Sequence, residues 1–330
     1  MERWFDSRRR EEWMFGLESS PTFLTPIQEM VYWILALIVL GMLLVASMSR
    51  AHKEMFESKP EKGSKTLALE DSSEIYDTFY AGVYDQLFTT PERVSFEKQA
   101  IEGYGLSAWP TSEIKVLDAC CGTCPNASWL CTKKIDVVGL DSSEAMLKKA
   151  RKRCVGGRFY KGDITRAETF PPKSFSHAMM LYFSIYQFRN PKMVLDILYS
   201  WIKPGGILIL HLVDPVKFDP ILDAASPFAA FSLQKYSKER VIDSTVHFDT
   251  FSYKSRFIHD GDEATFEEIF TFKDPSKHDG NTYREHKHRL YMPSVDAMTD
   301  IVKSAGFSQH EMVDMTPAGY EYQYLLFFTK

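Results

Sequence analysis

A chain of 330 residues, 45% hydrophobic and 25% charged, is long enough for one sizeable core and ordinary for a folded protein. Its 24 Phe and 16 Tyr exclude long disorder, and a net charge of −5 speaks against a general nucleic-acid binder, so no nucleic-acid partner is expected. The five cysteines, Cys120, Cys121, Cys124, Cys131 and Cys154, are odd in number and crowded. That pattern fits free thiols in a reducing compartment better than a disulfide framework.

Residues 1–26 form a polar tail in which Arg8, Arg9 and Arg10 adjoin Glu11 and Glu12. Residues 27–48 read as a transmembrane helix: 30–48 carry no charge, enough to cross a hydrocarbon layer of ~30 Å. Tyr32 and Trp33 suit the interface at its start. The run begins too far in, and lacks the cleavage pattern, for a signal peptide. Basic residues flank both ends, with a slight lean toward a cytosolic C-terminal part. Residues 49–71 read as a polar linker.

From residue 72 onward, short apolar runs alternate with helical patterns, which predicts a doubly wound, mostly parallel α/β sheet. Strands are expected at 114–119, 135–140, 158–160, 177–183 and 207–212, with helices at 126–132, 143–153 and 191–201 between them. An insertion at about 215–290 breaks the rhythm. There 247–257 and 266–272 show apolar residues at period two around an Asp260-Gly261 turn, an antiparallel hairpin with 283–290 as a possible third strand. A helix at 294–305, capped by Gly306, and strands at 308–315 and 320–328 complete a domain spanning 72–330.

The chemistry concentrates at residues 116–124, Val-Leu-Asp-Ala-Cys-Cys-Gly-Thr-Cys, where a strand ends in an acid and a tight small-residue loop leads to a helix. Such a turn lets a ligand approach backbone N–H groups at a helix start. Asp141 closes the next strand about 20 residues past Gly122, the position of a ribose-binding carboxylate.

These segments resemble the class I S-adenosylmethionine-dependent methyltransferases. The stretch 116–124 is similar to their first motif, Asp141 to their second-strand acid, and Gly162-Asp163-Ile164 to their adenine-binding segment. Residues 170–178, the Lys203-Pro204-Gly205-Gly206 turn, and the Tyr76-Asp77 and Tyr84-Asp85 pairs continue the likeness in order through the domain. Cys120 and Cys124 stand where the family has glycine, and Ser176 replaces its usual Asp. The resemblance implies a Rossmann-like, seven-stranded methyltransferase fold and S-adenosylmethionine as cofactor. It assigns cofactor binding to Asp118, Ala119, Cys120, Cys121, Gly122, Thr123 and Cys124 around the methionine part, and to Asp141 and Ser142 at the ribose. Asp163, Ile164 and Met146 would meet adenine, and Tyr182 and Phe183 would line the reacting pocket.

A methyl sulfonium needs mainly alignment and desolvation, but an oxygen or carbon acceptor also needs a base. Candidates are Tyr182, Tyr186 and His211, with His286 and His288 behind them. The acceptor is read as a small molecule or lipid at a membrane, with the catalytic domain facing the cytosol, where the cofactor is made. The only sequon, Asn126-Ala127-Ser128, lies on the cofactor loop, where a glycan would block it. Three other readings stand beside this one. Zinc on Cys121, Cys124 and Cys131 lacks a fourth ligand, so no metal is expected. A nicotinamide dehydrogenase lacks its glycine fingerprint. An inactive, membrane-held scaffold rests on the two missing glycines.

Overall fold

The structure, a computed structural model, describes residues 26–57, 64–220 and 243–330. The expected tail up to residue 25, part of the expected linker (58–63) and the middle of the insertion (221–242) lie outside the described residues. The chain divides into two units, 1–55 and 56–330.

Helix α1 (Pro26–Glu57) includes all the described residues of the first unit. Its window Pro26–Leu43 has mean hydropathy 1.8 and none of it is buried, so by length and composition it is able to cross a membrane. The helix continues past residue 48, into the stretch expected as linker. That stretch also holds a strand, β1 (Thr66–Leu69).

In the second unit, Asp71, Asp77 and Thr90 cap three leading helices, α2 (Ser72–Ile75), α3 (Thr78–Phe88) and α4 (Pro91–Ala100), by accepting from N–H groups of their first turns. Five parallel strands follow: β2 (Lys115–Ala119), β3 (Asp136–Asp141), β4 (Arg158–Lys161), β5 (Phe175–Met180) and β6 (Ile202–Val213). Helices α5 (Ser128–Thr132), α6 (Glu144–Arg153) and α7 (Pro191–Trp201) connect them. β5 is wholly buried and β2 nearly so, as expected of strands covered on both faces.

Downstream of the insertion come α8 (Val295–Ser304), β11 (Ser308–Asp314) and β12 (Gln323–Thr329). The sheet order is β11-β12-β6-β5-β2-β3-β4, with β12 antiparallel to both neighbours. This is the expected seven-stranded, Rossmann-like architecture. β2 hydrogen-bonds β3 on one side and β5 on the other, so the order reverses between them. That switch point opens a crevice at the carboxyl ends of β2 and β5.

The insertion holds β7 (Asp243–His247), β8 (Phe251–Asp260), β9 (Glu263–Phe272) and β10 (Tyr283–Tyr291). The expected hairpin is the β8–β9 pair, turned at Gly261 with φ +63°. The sheet is larger than expected: β7 adds to one edge, and β1 pairs in parallel with β10, from Thr66 opposite Tyr283 to Leu69 opposite His286. Phe251, Tyr253, Phe270 and Phe272 pack on Ile75, Tyr80, Ala81 and Leu87, which fastens α2 and α3 to this second sheet.

The expectation of free thiols throughout is corrected at one pair. Cys131 on α5 and Cys154 at the end of α6 form a disulfide, with Cα atoms 5.7 Å apart. The two helices pack in one apolar cluster with Leu130, Val137 and Ala150, which brings the pair together. Cys120, Cys121 and Cys124 remain free.

Candidate active site

The turn after β2 winds through three left-handed residues in alternation: Cys120 at φ +57°, Gly122 at +52° and Cys124 at +60°. These are the positions where the related motif has glycine, and side chains tolerate that conformation at a cost of about 1–2 kcal/mol each. The alternation turns successive N–H groups to different sides. Cys121 donates to the Leu140 carbonyl at 3.0 Å, and Gly122 donates to Asp141 Oδ2 at 2.8 Å. A Cβ at Gly122 would meet nothing within 4 Å, so the loop is open on its crevice side. Thr123 is held from behind: its hydroxyl donates to Asp85 Oδ1, and Arg153 donates to its carbonyl at 3.0 Å.

Asp118, at the end of β2, is buried. Burial pushes its carboxyl up to about 8, against a hydrogen bond from Cys124 and aided by nearby Asp141. Asp141 is raised too, again by burial, although the Ser143 and Gly122 amides stabilise its anion. Burial also pushes the thiols of Cys120, Cys121 and Cys124 well up, so they are neutral.

Around this centre the other expected residues are distributed unevenly. Ser142 is exposed beside Asp141. Asp163 is exposed and accepts from the Thr165 amide and hydroxyl at 2.9 and 2.7 Å, which hold its carboxyl low. Its neighbour Gly162 donates to the Asp141 carbonyl at 3.0 Å, which ties this segment to the end of β3. Ile164 lies in the core, and Met146 is buried with Ile75 and Tyr80 in the cluster under the leading helices.

The strand expected over 177–183 ends at Met180. Tyr182 and Phe183 turn away in two consecutive left-handed conformations, φ +52° and +61°. This sharp exit directs Tyr182 into the pocket whose walls include Asp118, Cys120, Gly122, Thr123, Tyr84 and Ser184. Thus the loop after β2 and the loop after β5 meet in one crevice.

Two buried residues that sequence reasoning passed over sit behind Tyr182. The Arg93 guanidinium carbon lies 4.1 Å from the Tyr182 ring centroid and 4.9 Å from that of Tyr320, and Arg93 donates to Glu97 Oε1 at 2.9 Å. In sequence, Arg93 and Glu97 look like an exposed i, i+4 pair on α4. Only the fold buries them.

The base candidates separate on hydrogen bonding. Arg93 donates to His211 Nδ1 at 3.1 Å, which leaves His211 Nε2 to donate to Gln323 Oε1 at 3.1 Å. Both nitrogens are thereby occupied, and burial with Arg93 lowers its basicity well below the ordinary value. The Tyr186 hydroxyl accepts from the Val213 amide at 2.9 Å, a structural tie, and burial raises its pKa. Tyr182 faces the pocket, but burial raises its phenol far above neutrality, so it is a polar wall rather than a base. Of the five candidates, only His286 and His288 lie on the second sheet.

These residues fit an adenosyl sulfonium. The turn at Gly122 is open, the carboxylates of Asp118 and Asp141 can accept from ammonium and ribose hydroxyl donors, and an aromatic ring faces the reacting end.

Residues 116–206 match the family model described as a methyltransferase domain. A stretch of 106 residues is 33% identical to demethylmenaquinone methyltransferase of Renibacterium salmoninarum, covering 32% of this chain and 44% of that protein. The match therefore spans less than half of that relative's length. Among solved structures, an S-adenosylmethionine-dependent methyltransferase from Clostridium acetobutylicum superposes with TM-score 0.53 at 16% identity, covering 76% of this chain and 97% of that one. The sugar N-methyltransferase KedS8 from Streptoalloteichus superposes with TM-score 0.56 at 16% identity, covering 83% and 99%. Residues 116–206 are therefore similar to a methyltransferase domain, and the fold is that of the solved S-adenosylmethionine-dependent methyltransferases.

Proposed function

We propose that the protein transfers a methyl group from S-adenosylmethionine to a small or lipid-like acceptor at a membrane. The observation that carries this reading is the join between Gly122 and Asp141, which brings the two expected cofactor segments to one open crevice. In this reading Asp118 and the 119–124 backbone hold the methionine part, and Asp141 with Ser142 holds the ribose. Asp163 and Ile164 border adenine, and Tyr182 and Phe183 border the reacting end. The bound cofactor supplies an activated methyl group, and the chain supplies alignment and a water-poor wall.

Helix α1 anchors the protein, and the catalytic unit faces the cytosol. The exposed apolar length of α1 supports the first point. The cofactor, which a cytosolic domain meets directly, supports the second. Labelled-methyl transfer to membrane extracts, wild type against Asp141→Ala, tests the activity, and equal labelling by both refutes the site. The second reading, an inactive scaffold, is favoured by Cys120 and Cys124 in the glycine positions. Absence of heat on calorimetric titration with S-adenosylmethionine would establish it.

A further inference from the structure

The second sheet buries an acid that the methyltransferase reading does not use. Glu268, on β9, is fully buried and accepts four hydrogen bonds. They come from Tyr80 and Tyr253 hydroxyls at 2.7 and 2.8 Å, His286 Nδ1 at 3.0 Å and His288 Nε2 at 2.8 Å. Only an ionised carboxylate accepts from all four. These hydrogen bonds and the two imidazoles hold Glu268 far below the usual range against the cost of burial.

One carboxylate oxygen and two imidazole nitrogens lie within 4.8 Å of one another, a grouping that also suits a metal ion. The proton positions decide against it. Arg284 Nε, always a donor, points at His286 Nε2 at 2.7 Å. His286 therefore carries its proton on Nδ1, the atom a metal would need bare, and gives it to Glu268. Arg284 in turn is paired with Asp77 at 2.8 Å, so the arrangement is a complete hydrogen-bond network.

His288 is the member of this network that reaches outward. Its side chain retains 10% exposure where those of His286 and Glu268 retain none. With Nε2 donating to Glu268, neutral His288 keeps a lone pair on Nδ1. The rigid ring aims that lone pair away from the acid, and Nδ1 has no partner among the described residues. The ring stands 6.0 Å from that of Tyr76, and hydrogen bonds tie Tyr76 to residues beside the cofactor crevice. The Tyr76 carbonyl accepts from Ser143, whose amide donates to Asp141 Oδ1 at 2.8 Å. The Tyr76 hydroxyl accepts from Gln187 at 3.0 Å, and Tyr84, which lines the crevice, lies 6.5 Å from Tyr76 ring to ring. β10 also packs on the 3-10 turn Ser184–Gln187 that follows Tyr182 and Phe183.

We propose that His288 is the general base of the reaction, that Glu268 positions it, and that the acceptor is a nucleophile carrying a proton, an amine or a hydroxyl, seated among Tyr76, Tyr84, Phe266 and Gln187. As the acceptor's lone pair bonds to the methyl carbon and that carbon's bond to sulfur breaks, the acceptor's proton passes to His288 Nδ1. The products are the methylated acceptor, a neutral thioether and an imidazolium beside the Glu268 carboxylate. This rests on the methyltransferase reading.

The groups facing His288 are Glu268 from β9, Tyr253 behind it on β8, and Arg284 and His286 from β10. Tyr76, Asp77 and Tyr80 face it from the leading helices. Of these, Glu268 makes the direct contact.

The test uses the full chain, detergent-extracted membranes as acceptor source and labelled S-adenosylmethionine. His288→Gln keeps a donor toward Glu268 but has no base. It is expected to lose about 100-fold or more in rate, together with the acidic limb of the pH profile, while calorimetric S-adenosylmethionine affinity stays unchanged. Nitrogen-15 spectra of the histidines, with His288 assigned by its loss in the variant, are expected to show the proton on Nε2 in wild type. Glu268→Gln is expected to lower the rate and to let His288 populate the Nδ1-protonated tautomer in the same nitrogen-15 spectra. Mass spectrometry of the product then assigns the methyl to nitrogen or oxygen. An unchanged rate and profile in His288→Gln, or a proton on Nδ1, overturns the proposal. Absence of transfer by wild type as well sinks the methyltransferase reading itself.

Discussion

The Asp141 carboxylate and the Gly122 amide, 19 residues apart, are joined by a 2.8 Å hydrogen bond, so the acid that closes β3 also holds the turn that leaves β2. Asp141→Ala removes this latch together with the proposed ribose partner. Hydrogen bonds to a charged group contribute about 1.5–3 kcal/mol each, so the dissociation constant for S-adenosylmethionine is expected to rise on the order of 10- to 100-fold by calorimetry. An unchanged constant removes Asp141 from the site.

Asp118 makes stability depend on pH. Its folded pKa, about 8, lies above the ordinary 3.8, so the folded protein keeps a proton that the unfolded chain has released. The stabilisation is complete below pH 3.8 and is lost as pH rises through 8. Thermal melts from pH 5 to 9 are expected to fall more steeply for wild type than for Asp118→Asn. Parallel curves contradict the shift. Where an ammonium or sulfonium binds beside Asp118, the proton leaves, so titrations at pH 7 in buffers of different ionisation enthalpy are expected to report proton release.

Cys120 and Cys124 carry a left-handed backbone that glycine adopts freely. Glycine gains that freedom but costs about 0.5–1 kcal/mol of chain entropy, so Cys120→Gly is expected to leave stability within about 1 kcal/mol. Cys120→Val, branched at Cβ, is expected to lose about 1–3 kcal/mol. Urea unfolding of both variants checks the ordering, and a harmless valine contradicts the strain.

Arg93 and Glu97 form a buried pair, and burial pushes the Glu97 carboxyl up while Arg93 pulls it down. Arg93→Met leaves the acid unpaired, with an expected loss of about 3–5 kcal/mol in urea unfolding. Adding Glu97→Leu is expected to recover most of it. A harmless single variant would mean that the pair is solvated.

The main sheet was legible because its strands are short, apolar and bounded by turn residues, and because β2, its loop and Asp141 follow one another closely. β1 was not legible. Its four residues, Thr66–Leu69, gain meaning only from β10, more than 200 residues away. The exit from β5 was misplaced because apolar Leu181, Tyr182 and Phe183 read as strand while their backbone turns left-handed. Asp118 and Gly122 line one crevice and Gly122 bonds Asp141, whereas Arg93 reads as a surface cation until Tyr182 and Tyr320 cover it. Glu268 carried a signal that went unused: an acid at the period-two position between Phe266 and Phe270, on a face otherwise apolar.

The two left-handed residues after β5 set a conflict between backbone and side chain. Glycine at Tyr182 would relax the main chain but delete the aromatic ring that walls the crevice, and at Phe183 it would delete the ring stacked on His211. Bulk and comfort are incompatible at these two places, so drift there is confined to a few flat side chains, and directed evolution toward a roomier acceptor would trade stability along the same axis.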